Sequence, residues 1–184
     1  EYRACGVNRL SIGVQTLDDA LLKLLGRAHT AQQALEAFDL ARSAGFDNLS
    51  ADLMFGLPDQ TPEQFAQSLA RIIQLKPRHI SAYSLTLEEG TPLYQQLGGV
   101  LDNEEADRDM YHLAVDMLNQ AGYSHYETSN FAQPGYECRH NLVYWTGKEY
   151  LGLGLAAHSY LYDAKDNAWV RQNNTEDYPE YVRK

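Results

Sequence analysis

The chain has 184 residues, 44% of them hydrophobic, and a formal net charge of −10. That is enough to build one domain, or one domain and part of another, but no apolar run reaches the ~20 residues that cross a bilayer and no secretory signal is visible. The acidic balance argues against binding a nucleic-acid backbone, which needs a basic surface.

Cys5 and Cys138 are the two cysteines. They form no disulfide framework and no paired metal motif, so a reducing cytoplasm is the expected compartment. Peripheral association with a membrane is left open by these features. The chain starts at Glu1, with Tyr2-Arg3-Ala4-Cys5-Gly6 resembling a helix end and turn, and a fragment of a longer protein is expected.

In chain order, Asn8 to Gln15 alternates like a strand, with Leu10, Ile12 and Val14 opposing Ser11, Gly13 and Gln15. A connecting segment around Leu17 to Leu25 leads to Gly26-Arg27-Ala28-His29. Thr30 then opens a helix, Gln33 completes a capping box, and Gly45 ends it. A second strand runs from Asn48 to Gly56, with Leu49, Ala51, Leu53 and Phe55 opposing Ser50, Asp52 and Met54. Thr61, Pro62 and Gln64 start the next helix, whose stripe is Phe65, Leu69, Ile72 and Ile73 and whose stop is Pro77. A third strand is expected from about His79 to Leu85. Three β–α units with short connections imply parallel strands and right-handed crossovers.

Gly90-Thr91-Pro92 and Gly98-Gly99 mark a loop region, and a long helix is expected over Asn103 to Ala121. Beyond Gly122 the pattern shifts to short strand-like runs at Tyr123 to Phe131, Leu142 to Trp145 and Leu153 to Leu161, followed by a polar, Tyr-rich tail. A boundary is placed between Leu87 and Asp102, dividing an α/β part (1–95) from an α+β part (96–184).

The two alternating strands have a consequence for function. Parallel strands covered on both faces should be almost uniformly apolar, and a filled barrel lumen is packed with branched side chains. Here the face opposite the helices is small and polar, as a lumen left open for a ligand would be. Ligands of parallel α/β folds bind beyond the carboxyl ends of the strands. Gln15 lies at such an end, Asp52 is on the polar face of the next strand, and Arg27 can reach the same mouth. An amide, a guanidinium and a carboxylate suit a ligand with amino-acid and sugar groups: Arg27 can pair bidentately with a carboxylate, and Asp52 can accept from an ammonium or hydroxyls. The competing reading makes Asp52 a buried carboxylate paired with Arg27 or Arg9 for structure alone.

A second constellation is Cys138-Arg139-His140-Asn141 with Tyr144-Trp145. If extended, it places Cys138 and His140 on one face, where thiolate and imidazole suit a metal or haem iron. A hydrogen-bonded structural histidine is the alternative. The other histidines are expected to be structural or solvated. Gly152 and Gly154 do not compose a dinucleotide fingerprint, and the Leu153–Leu155 alternation fits a strand.

Three stretches together resemble the oxygen-independent coproporphyrinogen oxidase family of radical S-adenosylmethionine (SAM) proteins. They are Gly6 through Gln15, Gly26-Arg27-Ala28-His29, and Asp52-Leu53-Met54-Phe55-Gly56-Leu57-Pro58. The His-Asn-x-x-Tyr-Trp pattern of His140 to Trp145 is similar to that family's haem-chaperone branch. The resemblance covers nearly the whole chain. It implies the C-terminal half of a partial (β/α)6 TIM-like barrel (1–95), then a barrel-closing helix and the start of a smaller α+β C-terminal region (96–184). It further implies that Gln15, Arg27 and Asp52 contact SAM, that His140 binds haem, and that haem passes to haem-accepting proteins. The alternative within the family is dehydrogenation of coproporphyrinogen III in porphyrin biosynthesis. The family's Cys-x-x-x-Cys-x-x-Cys loop for a [4Fe–4S] cluster is absent from these residues, so this chain alone is expected to hold no cluster and perform no radical chemistry.

Overall fold

The computed structural model describes residues 1–101 and 103–183, so Asp102, the far limit of the boundary expected from sequence, lies outside the described residues. The chain divides into two compact units, Glu1–Glu137 and Cys138–Lys184. The 95/96 division drawn from sequence follows barrel membership; compactness instead keeps the following helix and hairpin with the three parallel strands.

The first unit is built on a five-stranded sheet. Strands β1 (Arg9–Gln15), β2 (Asn48–Phe55) and β3 (His79–Ser84) pair in parallel, β1 on β2 and β2 on β3. Between them run α1 (Asp19–Leu24), α2 (Ala31–Ser43) and α3 (Pro62–Gln74). Both long crossover helices start as their sequences dictate. Thr30 and Thr61 cap α2 and α3 through complete capping boxes with Gln33 and Gln64, and Pro62 occupies the first turn of α3. The loop before the next helix is not all irregular, since Thr91 caps a short α4 (Pro92–Gln96). The long helix α5 (Glu104–Gln120) follows, and a hairpin of β4 (Ser124–Glu127) and β5 (Asn130–Ala132) then adds to β3 in antiparallel sense. The sheet order is β1-β2-β3-β5-β4.

The core lies between the sheet and its helices. Leu49, Leu53 and Ile80 from the strands meet Phe38 of α2, Phe65, Leu69 and Ile72 of α3, and Met110 and Leu118 of α5, all almost fully buried. Each such side chain contributes roughly 1.5–3 kcal/mol relative to exposure. Tyr123 closes this layer by donating its hydroxyl to the Pro77 carbonyl at 2.6 Å, which ties the end of α5 to the α3–β3 turn.

The second unit contains α6 (Arg139–Trp145), a hairpin of β6 (His158–Asp163) and β7 (Ala168–Asn173), and a short α7 (Tyr178–Arg183). Two expectations are corrected here. Leu142 to Trp145 is helical, because a run of four apolar residues carries no period by which strand and helix differ. Gly147, at φ +62°, ends that helix with the bonds Lys148 N–H to Val143 O and Gly147 N–H to Tyr144 O, a Schellman closure. Residues 151–157 are irregular, and the strand begins only at His158. The polar, Tyr-rich tail carries β7 and α7.

Candidate functional site

The sheet face turned away from the helices is polar along three strands, and its groups are hydrogen-bonded across strands. In register, Gly13 lies beside Asp52, Asp52 beside Ser81, and Ser81 beside Asn130. The Ser11 hydroxyl donates to Asp52, lying 2.8 and 3.0 Å from its two carboxylate oxygens. Ser81 donates to Asn130 Oδ1 at 2.6 Å. One layer down, His79 is bracketed by two hydroxyls, with Nδ1 2.8 Å from Ser50 Oγ and Nε2 2.8 Å from Tyr126 Oη. Burial, aided by the positive charge of Arg9, pushes the His79 pKa down to about 3, so the imidazole is neutral. Arg9 itself turns to Asn48 Oδ1 and the Tyr136 carbonyl. Of the two structural partners open to Asp52, Arg9 is turned elsewhere, and the carboxylate is bonded by the Ser11 hydroxyl.

At the carboxyl end of β1 the ladder slips between Gly13 and Gln15. Gln15 takes a left-handed backbone, φ +66°, a conformation that costs a non-glycine residue about 1–2 kcal/mol. Such irregularities re-aim side chains. Val14 goes into the core while the Gln15 carboxamide, also buried, accepts the Tyr83 hydroxyl at 2.9 Å. Burial and the negative charge of Asp52 raise the Tyr83 pKa, opposed by the charge of Arg27 and the bond to Gln15. Tyr83 thus sits within the fields of both Asp52 and Arg27 and in contact with Gln15. Gln15 is thus in contact with Tyr83, whose strand neighbour two residues back, Ser81, is in register with Asp52.

Arg27 is exposed on the α1–α2 connection. Its loop is moored to the mouth of the sheet: Gly26 turns at φ +67°, the Arg27 amide donates to the Leu22 carbonyl, and His29 Nε2 lies 3.3 Å from the Val14 carbonyl. The arrangement offers a fixed carboxamide, a solvated guanidinium and a hydroxyl-held carboxylate at the end of parallel strands. Tyr83 escaped the sequence reading although its signal was present, since His79, Ser81 and Tyr83 alternate on β3 as the polar residues of β1 and β2 do.

His140 belongs to the second unit, on α6, and is exposed. It does not share an extended face with Cys138, which is the extended N-cap of that helix; residues two apart in a helix point in different directions. The neighbour of His140 is instead Tyr144, one turn on, with Nε2 and Oη 3.2 Å apart and the rings edge to face at 5.0 Å. The aromatic contacts continue from Tyr144 through Tyr150 and Tyr160 to Trp169, with centroid spacings of 4.6, 6.2 and 5.0 Å.

An iron–sulfur cluster does not fit these residues. Two cysteines are fewer thiolates than a cluster takes, and among the described residues no group of three or more His, Cys, Asp or Glu side chains could hold a metal ion. Nor, among the described residues, is any helix long and apolar enough to cross a membrane.

Residues 1–72 match the model of the radical SAM superfamily. The chain is 44% identical to the heme chaperone HemW of Escherichia coli over 86% of its length and 42% of that protein's. It is 43% identical to the heme chaperone HemW of Lactococcus lactis over 84% of its length and 42% of that protein's. It therefore spans less than half the length of these relatives. Among solved structures, the radical SAM enzyme coproporphyrinogen III oxidase (HemN) from Escherichia coli superposes with a TM-score of 0.75 at 25% identity, covering 99% of this chain and 44% of that one. In sequence this chain is thus similar to the HemW heme chaperones, its first 72 residues carry the radical SAM match, and its fold is that of the HemN barrel.

Proposed function

We propose that this chain supplies the SAM-contacting half of the barrel in a haem chaperone, which binds haem and passes it to haem-accepting proteins. The observation that carries the reading is the Gln15–Tyr83 bond on the polar sheet face that also bears Asp52, with the loop of Arg27 held to the end of β1 through His29, in a chain related to HemW. Arg27 would take the SAM carboxylate, Asp52 its ammonium or ribose hydroxyls, and Gln15 a further polar group. The superfamily implies a [4Fe–4S] cluster as SAM's partner; its thiolates are not among these residues, so no redox step is assigned to them.

His140 would bind haem. Its imidazole is exposed, and Tyr144, one turn on, and Trp145 are about half exposed at 48% and 59%, leaving ring surface for a macrocycle. We place the protein in a reducing, cytoplasmic compartment on its cysteine usage.

The likeness to HemN favours one competing reading, oxidative decarboxylation of coproporphyrinogen III. Cluster-reconstituted protein with a complete barrel, incubated with SAM and that substrate, tests the two. Protoporphyrinogen formation overturns the chaperone reading; unchanged substrate alongside a haem difference spectrum upholds it. His140→Ala should weaken haem binding and alter that spectrum, and unchanged affinity and spectrum would remove His140 from the site.

A further inference from the structure

Gln15 is held at three levels, and the sum of them limits what its side chain can do. The ladder slip and the left-handed φ of +66° turn the residue out of strand geometry. Its carbonyl oxygen accepts the Tyr83 hydroxyl at 2.9 Å. Its amide nitrogen folds back over Gly13, where a Cβ would stand only 2.9 Å from Nε2, closer than real Cβ atoms approach a neighbour. Gly13 is thus the residue that leaves room for the carboxamide, and Tyr83 is the one that fixes which end of it faces which way. An unrestrained carboxamide can present either its oxygen or its nitrogen to a ligand. With the oxygen turned to the Tyr83 hydroxyl, the N–H pair is turned the other way.

We propose that Tyr83 is a positioning residue for SAM binding: it locks the Gln15 carboxamide so that its N–H groups face an acceptor atom of the ligand, with Gly13 providing the clearance. The inference rests on the SAM reading of Gln15 and adds to it the polarity of that contact. Acceptors such as a carboxylate or hydroxyl oxygen are matched to it. Tyr83 acts through Gln15 and needs no contact with the ligand. Tyr83 is half-buried and shares its face of β3 with Ser81, the register partner of Asp52.

A double-mutant cycle in the cluster-reconstituted protein with a complete barrel, read by calorimetric titration with SAM, tests this. Tyr83→Phe keeps the ring and removes the hydroxyl. It should weaken SAM binding by about three- to tenfold, the size of one neutral hydrogen bond. In the Gln15→Ala background the same substitution should cause no further loss, because the group it orients is gone. Gly13→Ala should weaken SAM binding in the Gln15 protein and not in the Gln15→Ala protein. Wild-type affinity for Tyr83→Phe, or losses that multiply in the double variant, would overturn the positioning role. Wild-type affinity for Gln15→Ala would instead overturn the SAM reading of Gln15 on which the inference stands, so the two failures are told apart.

Discussion

His79 shows how much of the polar sheet face is settled one residue at a time. It is buried to 1% exposure between two hydroxyls, and burial with the nearby Arg9 charge takes its pKa from 6.5 to about 3. Folding therefore keeps the imidazole neutral where the unfolded chain protonates it. The stabilisation is whole above pH 6.5 and is lost as pH falls from there through about 3, the range in which the unfolded state binds the extra proton. Urea unfolding at neutral pH and at about pH 5 should show a loss of stability on the acid side, and His79→Gln should flatten that limb. An unchanged slope in the variant would place the acid sensitivity elsewhere. At this scale the sequence was informative where alternation applied. Ser11, Asp52 and Gln15 could be put on one face by counting in twos, and Tyr83 could have been added by the same count. The pairing of Asp52 with Ser11 was not legible, because cross-strand register is a tertiary fact. The company of His140 was misread for another reason: alternation was applied to a segment that is helical.

The elements of the first unit were legible because their signals are local and mutually consistent. Capping boxes at Thr30 and Thr61, the stop at Pro77 and the stripe of α3 all state the same boundaries. Thr61→Ala should cost about 1 kcal/mol in urea unfolding, and no loss would mean that tertiary packing alone defines the start of α3. The turn at Phe55-Gly56-Leu57-Pro58, read in isolation, is mere punctuation, but the structure gives Gly56 a specific task. At φ +66°, its missing side chain makes room for the Asp107 carboxylate, while Asn103 Nδ2 donates to its carbonyl at 2.7 Å and Ser84 donates to Asp107 at 2.5 Å. The N-terminus of α5 is thereby seated at the carboxyl ends of β2 and β3. Gly56→Ala should destabilise by about 1–3 kcal/mol through strain and collision together, and Gly56→Ala/Asp107→Ala should recover part of the loss. A double variant as unstable as the single would show the backbone conformation, not the collision, to be responsible. Sequence could not announce this seat, since its partners lie about fifty residues apart. In the second unit the short apolar run at Leu142 to Trp145 had no period to betray a helix, although Gly147 was an available stop signal.

The whole chain is three parallel strands and a hairpin in one compact unit, followed by a small α+β unit, and its matched relatives are more than twice as long. β1 stands at the end of the sheet order, and an edge strand of this kind is a template for pairing with another chain. The isolated chain should therefore associate with rising concentration in light scattering, whereas a monodisperse monomer would show that edge to be protected. The polar face of the same sheet is the strongest link from sequence to function, because its polarity was inferred from alternation and its groups bond across strands. Its ligand is the central claim. Calorimetric titration of SAM into protein with a complete barrel, comparing wild type with Arg27→Ala, tests it most directly. Loss of the charge-assisted carboxylate contact should cost roughly 1.5–3 kcal/mol of binding free energy, and an unchanged affinity would contradict the account.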